Sequence, residues 1–174
     1  GLKGPKEYIA TTRYDIRGMD IDPEFVEIYF GSVAPGFFAW VIPTDENDAR
    51  VGLGTMSPDN TVHEHMLAFL KRLKKEGKVK EDNKVLHKSG GLIPLYDPNL
   101  DISNKGAHLV GDAAGQVKAT TGGGVIIGGL AAKALANAID SDDIYESGLT
   151  EINKELKNHL MIRKVMNNLG NEQF

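Results

Sequence analysis

Hydrophobic residues in the first third of the chain fall in short runs that end at glycine, proline or a polar segment. β-Branched and aromatic residues dominate these runs, a composition typical of strands. The pattern predicts four strands, over residues 8–14, 25–30, 37–42 and 50–56. The polar segment 44–48 separates the last two, which are therefore predicted to form a hairpin. This part of the chain is predicted to be an antiparallel sheet.

A helix is predicted after these strands, because apolar residues recur there at intervals of three and four positions. It is predicted to begin near Asn60 or Thr61, since Thr61 and Glu64 have the spacing of a capping box, and to stop at Gly77. Residues 85–93 are predicted to form a further strand.

The remaining third has three elements. Residues 107–110 form a short apolar strand, after a loop over residues 94–103. Residues 124–139 form a helix that is apolar on nearly every face, which we expect to be buried and closely packed. Residues 145–169 form an amphipathic helix, whose apolar stripe fits either docking against the protein or lying on a bilayer. The predicted fold class is α+β.

The composition narrows the classes of function. Hydrophobic residues make up 41% and charged residues 25% of the 174 residues, as in ordinary globular proteins. A net charge of −4 without a basic cluster disfavours nucleic acid as a partner. The chain has no cysteine, which excludes disulfides and thiolate chemistry and fits a cytoplasmic location. Glycine, at 20 residues, is the one outlier, and its clusters are where we expect function.

The strongest local feature is a strand that leads into Gly111-Asp112 and is followed, after a loop, by Gly122-Gly123-Gly124 at the start of a helix. Glycines there allow a ligand to approach N–H groups that have no partner within the helix, and the helix dipole favours negative charge. A carboxylate just past a strand can accept hydrogen bonds from sugar hydroxyls. The alternative is that Asp112 caps a turn and the glycines only permit tight packing. Together, the features favour a cofactor site.

Several other kinds of site are missing from the sequence. It contains no G-x-G-x-x-G, no phosphate-binding G-x-x-x-x-G-K-[ST] loop and no G-x-S-x-G nucleophile elbow. The five histidines do not have the spacing of a chelating set, so no metal site is predicted, and His63 and His65 are interpreted as surface residues. No residue stands out as a catalytic acid or base.

Two motifs resemble a known family. Residues 109–115 followed by 121–125 resemble the second flavin-contacting motif of the p-hydroxybenzoate hydroxylase-like flavoproteins. Residues 38–43 and then Gly52-Leu53-Gly54 resemble the substrate-site motif of the archaeal geranylgeranyl reductases. Members of that family use FAD to saturate the isoprenoid chains of archaeal membrane lipids.

The resemblance implies roles for particular residues and segments. The implied FAD-binding residues are Gly111, Asp112, Ala113, Gly122, Gly123, Gly124 and Val125, and the implied substrate-binding residues are Phe38, Trp40, Pro43, Gly52 and Gly54. Residues 1–105 would then be a β-rich substrate-binding domain, residues 106–140 the second FAD-contacting segment of a Rossmann-like FAD-binding domain, and residues 141–174 a C-terminal helical segment.

The pleat of the predicted hairpin refines the substrate site. Pairing of residues 42 and 50 would put Trp40 opposite Gly52 and Phe38 opposite Gly54. Aromatic side chains facing bare backbone would leave an apolar slot for a flexible prenyl chain. The alternative is that the aromatic rings simply cover the glycines.

The chain also departs from the family pattern. The N-terminal glycine motif that holds the ADP half of FAD is absent, and so is a proline before the triple glycine, where Ala119 and Thr120 stand. We therefore expect a C-terminal fragment that is inactive alone. The implied partners are an isoprenoid phospholipid, an external electron donor and, as a peripheral contact, the membrane surface. A flavin-dependent monooxygenase and a non-catalytic module for an apolar ligand stay open as alternatives.

Overall fold

The computed structural model describes residues 1–56, 62–141 and 144–167. Among these residues the chain forms two compact units, one of residues 9–92 and the other of residues 1–8 together with 93–167. The predicted division at residues 105 and 140 is a division by role, and it stays a prediction.

The unit of residues 9–92 is built on a five-stranded sheet. Its strands are β1 (Tyr8–Met19), β2 (Glu27–Tyr29), β3 (Ala39–Asp45), β4 (Asp48–Thr55) and β5 (Val79–Pro94). Their order across the sheet is β2-β3-β4-β1-β5, and the pairs β2–β3, β3–β4 and β4–β1 are antiparallel. The predicted α+β class, antiparallel sheet and hairpin are thus confirmed. β1 is longer than predicted because the alternation continues, with Ile16 and Met19 buried beyond Tyr14.

One face of this sheet is covered by helix α1 (Val62–Lys75). Met66, Phe69 and Leu73 of α1 are fully buried, and they form one cluster with alternate residues of the strands, among them Val41 and Leu53. Burying a side chain of this size contributes roughly 1.5–3 kcal/mol, so this face holds the core of the unit.

The ends of α1 were both predicted from sequence. Gly77 follows the helix with φ +76, and the N–H of Lys78 donates to the carbonyl of Leu73, which is how a glycine ends a helix. The predicted capping residue Thr61 lies outside the described residues.

The other unit contains one small hairpin and two helices. The hairpin pairs β6 (Ser103–Asn104) with β7 (Ala107–His108), and the helices are α2 (Val125–Ser141) and α3 (Thr150–Asn167). Two short 3₁₀ segments, Gly111–Ala114 and Tyr145–Leu149, precede them.

The apolar stripe of the last segment is buried within this second unit. Leu149, Ile152 and Leu156 form one cluster with Ile127 and Ala131 of α2. The stripe is therefore a docking surface for α2. No helix in the described part of the chain is long and apolar enough to cross a membrane.

The prediction that α2 is buried all round is wrong. Ile127, Ala131 and Ala138 are buried, but Val125 is 92% and Ile126 73% exposed. An apolar composition shows that a helix has several apolar faces, but not which of them the chain covers. Here α2 packs through one side only.

Candidate functional site

The turn at Gly111–Ala114 has a backbone that only glycine tolerates easily. Gly111 and Gly115 have φ values of +64 and +62, in the left-handed region. A Cβ on Gly115 would also come within 3.0 Å of the carbonyl oxygen of Leu95. The chain therefore turns sharply at both ends of the segment that follows β7.

Gln116 fixes this turn from inside the protein. Its buried side chain accepts a hydrogen bond from the N–H of Gly111 at 2.6 Å and donates one to the hydroxyl of Tyr145 at 3.1 Å. Tyr145 in turn donates to the carbonyl of Leu109 at 3.3 Å. Burial raises the pKa of the Tyr145 hydroxyl, so it stays a neutral donor at physiological pH. The sequence prediction missed Gln116, because a single glutamine carries no periodic signal.

Asp112 lies against the N-terminus of α2. A Cβ on Gly124 would be 3.2 Å from Oδ1 of Asp112, so the two predicted halves of the cofactor motif meet at this point. Asp112 is exposed, and among the described residues its carboxylate accepts no hydrogen bond. It therefore does not cap the turn, and its oxygens are available to a ligand. Ala113, beside it, is also exposed.

The free N–H groups of the glycine segment differ from those expected. Gly122 donates to the carbonyl of Lys118 at 2.8 Å, and Gly123 to the hydroxyl of Thr121 at 3.3 Å. By contrast, residues 124–127 at the start of α2 donate to no acceptor in the described part of the chain. The available donors are thus Gly124, Val125 and the two residues after them, at the positive end of the helix dipole.

Helix α3 holds the loop before these donors. Lys118 is 2.6 Å from Glu155, and the hydroxyl of Thr120 is 2.7 Å from Nδ1 of His159. The hydrogen bond from Lys118 lowers the pKa of the Glu155 carboxyl. The loop that leads into Gly122 is thereby tied at two points to a packed helix.

The predicted hairpin register is confirmed in the other unit. Ile42 pairs with Arg50 and Trp40 with Gly52. A Cβ on Gly52 would come within 2.3 Å of Cε2 and Cζ2 of Trp40, so the indole lies directly on the backbone of β4. Pro43 pairs with Ala49 nearer the turn and is half-buried.

Phe38 does not cover Gly54 as expected. A Cβ on Gly54 would instead meet Cδ1 of Phe37 at 2.5 Å and Cγ2 of Ile9 at 2.8 Å. Residues 37 and 38 precede β3, so the strict alternation of a strand does not apply to them. The expected open slot above the two glycines is therefore filled by the chain's own side chains.

Aromatic residues nevertheless form an accessible row on the open face of the sheet. We call Phe30, Phe38 and Trp40 the aromatic row: Phe38 lies 5.7 Å from Trp40 and 6.1 Å from Phe30 between ring centroids. Ile28, 45% exposed, pairs with Trp40 and extends this surface onto β2. The row offers apolar contact along its side rather than a slot over the glycines.

The histidines are arranged as follows. His63 is exposed, as predicted, but it also bonds through Nδ1 to the hydroxyl of Tyr14 at 3.0 Å. Among the described residues, no group of three histidine, aspartate or glutamate side chains is placed to hold a metal ion.

Comparison with known sequences connects these features to a family. Residues 7–93, half of the chain, match the sequence model of the geranylgeranyl reductase catalytic domain. The chain belongs to the geranylgeranyl reductase family. The matched residues include the aromatic row and both glycines of β4.

Relatives in this reductase family extend over nearly the whole chain. Digeranylgeranylglycerophospholipid reductase 2 of Methanothermobacter thermautotrophicus is 32% identical over 98% of this chain and 46% of its own length. Digeranylgeranylglycerophospholipid reductase of Methanocaldococcus jannaschii is 29% identical over 99% of this chain and 47% of its own length. The chain thus spans slightly less than half the length of each relative.

The fold is also that of a solved structure. A geranylgeranyl bacteriochlorophyll reductase-like protein from Thermoplasma acidophilum superposes with a TM-score of 0.75, at 24% identity, over 96% of this chain and 45% of its own. At this identity the likeness shows the fold.

Proposed function

We propose that this chain is part of an FAD-dependent reductase that saturates the C=C bonds of geranylgeranyl chains in archaeal glycerophospholipids. The observation that carries the proposal is the junction of Asp112 with Gly124, where a free carboxylate meets free helix N–H groups. The names of the relatives support the substrate class. Because the chain spans less than half of each relative, we propose that the complete protein, and not this chain alone, carries the activity.

The residues at the junction fit a flavin. The donors of residues 124–127 and the dipole of α2 favour an acceptor edge that gains negative charge on reduction. The Asp112 carboxylate can accept hydrogen bonds from the hydroxyls of a sugar-alcohol chain. Gly111 and Gly115 set the turn that presents Asp112, and Gln116 holds that turn. FAD, when bound, supplies the hydride for the saturation.

The aromatic row fits the prenyl chain. Flat rings and the side chain of Ile28 give a prenyl chain apolar contact without requiring one conformation, which suits a long flexible substrate. Gly52 keeps the Trp40 indole flat on the sheet, so the row presents a continuous surface. Its part in the reaction is to bind and orient the lipid.

The remaining partners are part of the same proposal. Reducing equivalents come from an external donor, and the lipid is reached by peripheral contact with the membrane surface. Exposed Met161, Ile162 and Val165 near the end of α3 form an apolar patch that suits such a contact.

Two substitutions in the complete protein test these assignments. We expect Trp40→Ala to leave the flavin absorption spectrum intact while lipid reduction falls at least about tenfold, since a large aromatic contact is lost. We expect Asp112→Ala to weaken FAD retention instead. Phe25→Ala, which removes an exposed aromatic ring outside the row, is the control and should change neither. Equal loss of FAD from both test variants, or full activity in Trp40→Ala, would contradict the proposal.

A further inference from the structure

The aromatic row ends at a positively charged part of the same sheet face. The register places Ile28, Trp40, Gly52 and Arg13 on one line across β2, β3, β4 and β1. Neighbouring strands are about 4.8 Å apart, so the backbone of Arg13 lies roughly 10 Å from that of Trp40. The indole, which lies over Gly52, occupies the space between them. The surface is therefore apolar at β2 and β3 and cationic at β1.

Two arginines share one carboxylate at the cationic end. Nε of Arg13 lies 3.2 Å and Nε of Arg50 lies 3.9 Å from Oδ1 of Asp15. Neither arginine has another ion-pair partner in the described part of the chain. Their side chains are 37% and 52% exposed. One positive charge and several N–H donors are left uncompensated beside the aromatic row.

Arg17, farther along β1 on the same face, shows the contrast. Its guanidinium contacts both carboxylate oxygens of Asp48, at 3.1 and 3.3 Å. Asp48 thus occupies the donors of Arg17 as a phosphate would. The excess charge is confined to Arg13 and Arg50.

A phosphate group matches this excess. A guanidinium presents parallel N–H donors that fit two oxygens of a phosphate, and exposed arginines hold such groups more specifically than lysines do. A phosphate attached to an apolar chain would use both ends of the line from Ile28 to Arg13. Free phosphate would leave the aromatic row without a role.

We propose that Arg13 and Arg50 bind the phosphate of a prenyl lipid whose chain lies along the aromatic row, with Asp15 positioning the two guanidinium groups. This inference rests on the proposed function and adds to it the residues that select a phosphorylated substrate. It needs no contact with the flavin.

Trp40 provides the test, because it is the only tryptophan of the chain. Its fluorescence is measured as geranylgeranyl phosphate or geranylgeraniol is added, both below the concentrations at which they aggregate. We expect the phosphate to bind at least about tenfold more tightly than the alcohol, as charge-assisted hydrogen bonds predict. The double variant Arg13→Gln/Arg50→Gln should lose this preference and still bind the alcohol. Arg17→Gln, the control, should keep the preference.

Further arms separate the explanations. Equilibrium dialysis of the complete protein against the same two lipids repeats the comparison without fluorescence, and the single variants Arg13→Gln and Arg50→Gln replace the double one if it does not fold. An unchanged preference in the variants would overturn the proposal. Competition by inorganic phosphate at the concentrations at which the lipid binds would assign the site to free phosphate and overturn the lipid assignment. If neither lipid binds, the Trp40 substrate site fails together with this inference. If the alcohol binds without any preference for the phosphate, this inference alone fails.

Discussion

The indole of Trp40 rests on the backbone of Gly52, with no room for even a methyl group between them. Gly52 therefore determines how Trp40 lies, although it contributes no side chain. The flat indole links Ile28 on one edge of the sheet to Arg13 two strands away. Both the prenyl surface and its charged end depend on this contact.

Gly52→Ala should displace the indole. The added methyl would lie 2.3 Å from Cε2 of Trp40, so the ring must leave its place, at a cost of about 1–3 kcal/mol in the free energy of unfolding. Chemical denaturation and the wavelength of tryptophan emission measure the two effects. Gly91→Ala on β5 is the matched control, because a Cβ there meets nothing within 4 Å. An unchanged emission spectrum in Gly52→Ala would show that Trp40 does not lie on the glycine.

Gly124→Ala should weaken FAD binding by about tenfold, the value of one charge-assisted hydrogen bond. The new methyl would lie 3.2 Å from Oδ1 of Asp112 and 3.1 Å from Cγ2 of Val117, and would shift the carboxylate. Flavin retention by the complete protein is the measurement. Gly129→Ala, in the same helix with open space at the Cβ, should retain FAD and favour the helix. Equal retention in both variants would contradict the Asp112–Gly124 site.

Gln116→Leu should loosen the turn that carries Asp112. The N–H of Gly111 loses its acceptor and the hydroxyl of Tyr145 loses a donor, which costs about 1–3 kcal/mol. Thermal unfolding together with FAD retention measures the result, and both should fall. The control is Asn158→Leu, which replaces an exposed amide on α3 and should alter neither. Normal FAD retention in Gln116→Leu would show that the turn does not need this side chain.

The ion pair between Lys118 and Glu155 should make stability sensitive to acid. The hydrogen bond from Lys118 lowers the pKa of Glu155 in the folded protein below its ordinary value of 4.5. A carboxyl of this kind stabilises the fold fully above pH 4.5, and the contribution is lost as the pH falls through the lower, folded pKa. The pair is solvent-exposed, so its contribution is under about 1 kcal/mol. Denaturation across this acidic range should show a shallower pH dependence in Glu155→Gln, and an identical dependence would contradict the assignment.

Much of the sheet was predictable from sequence. Alternation placed the hairpin in its observed register, since the polar turn between residues 42 and 50 fixes which residues face each other. Phe38 was misplaced because residues before β3 do not follow the pleat. Arg13 and Asp15 were missed for another reason. Their proximity to Arg50 depends on the pairing of β1 with β4, two strands that are distant in sequence, and no local pattern encodes that pairing.

The glycine segment was predicted in part. Its composition indicated a ligand at a helix N-terminus, and the structure brings Asp112 to Gly124. Which N–H groups are free could not be predicted, because Gly122 and Gly123 donate to acceptors that only the folded loop places nearby. The burial of α2 was overestimated for a similar reason, since composition does not tell which face is covered.

The most direct test of the proposed activity is the product made by the complete protein. The protein is incubated without oxygen with FAD, dithionite and a digeranylgeranylglycerophospholipid, and the extracted lipid is analysed by mass spectrometry. The expected result is a stepwise gain of two hydrogen atoms per double bond that depends on FAD and is strongly reduced in Trp40→Ala. A lipid of unchanged mass despite bound FAD, or a gain of oxygen when air is admitted, would contradict the account.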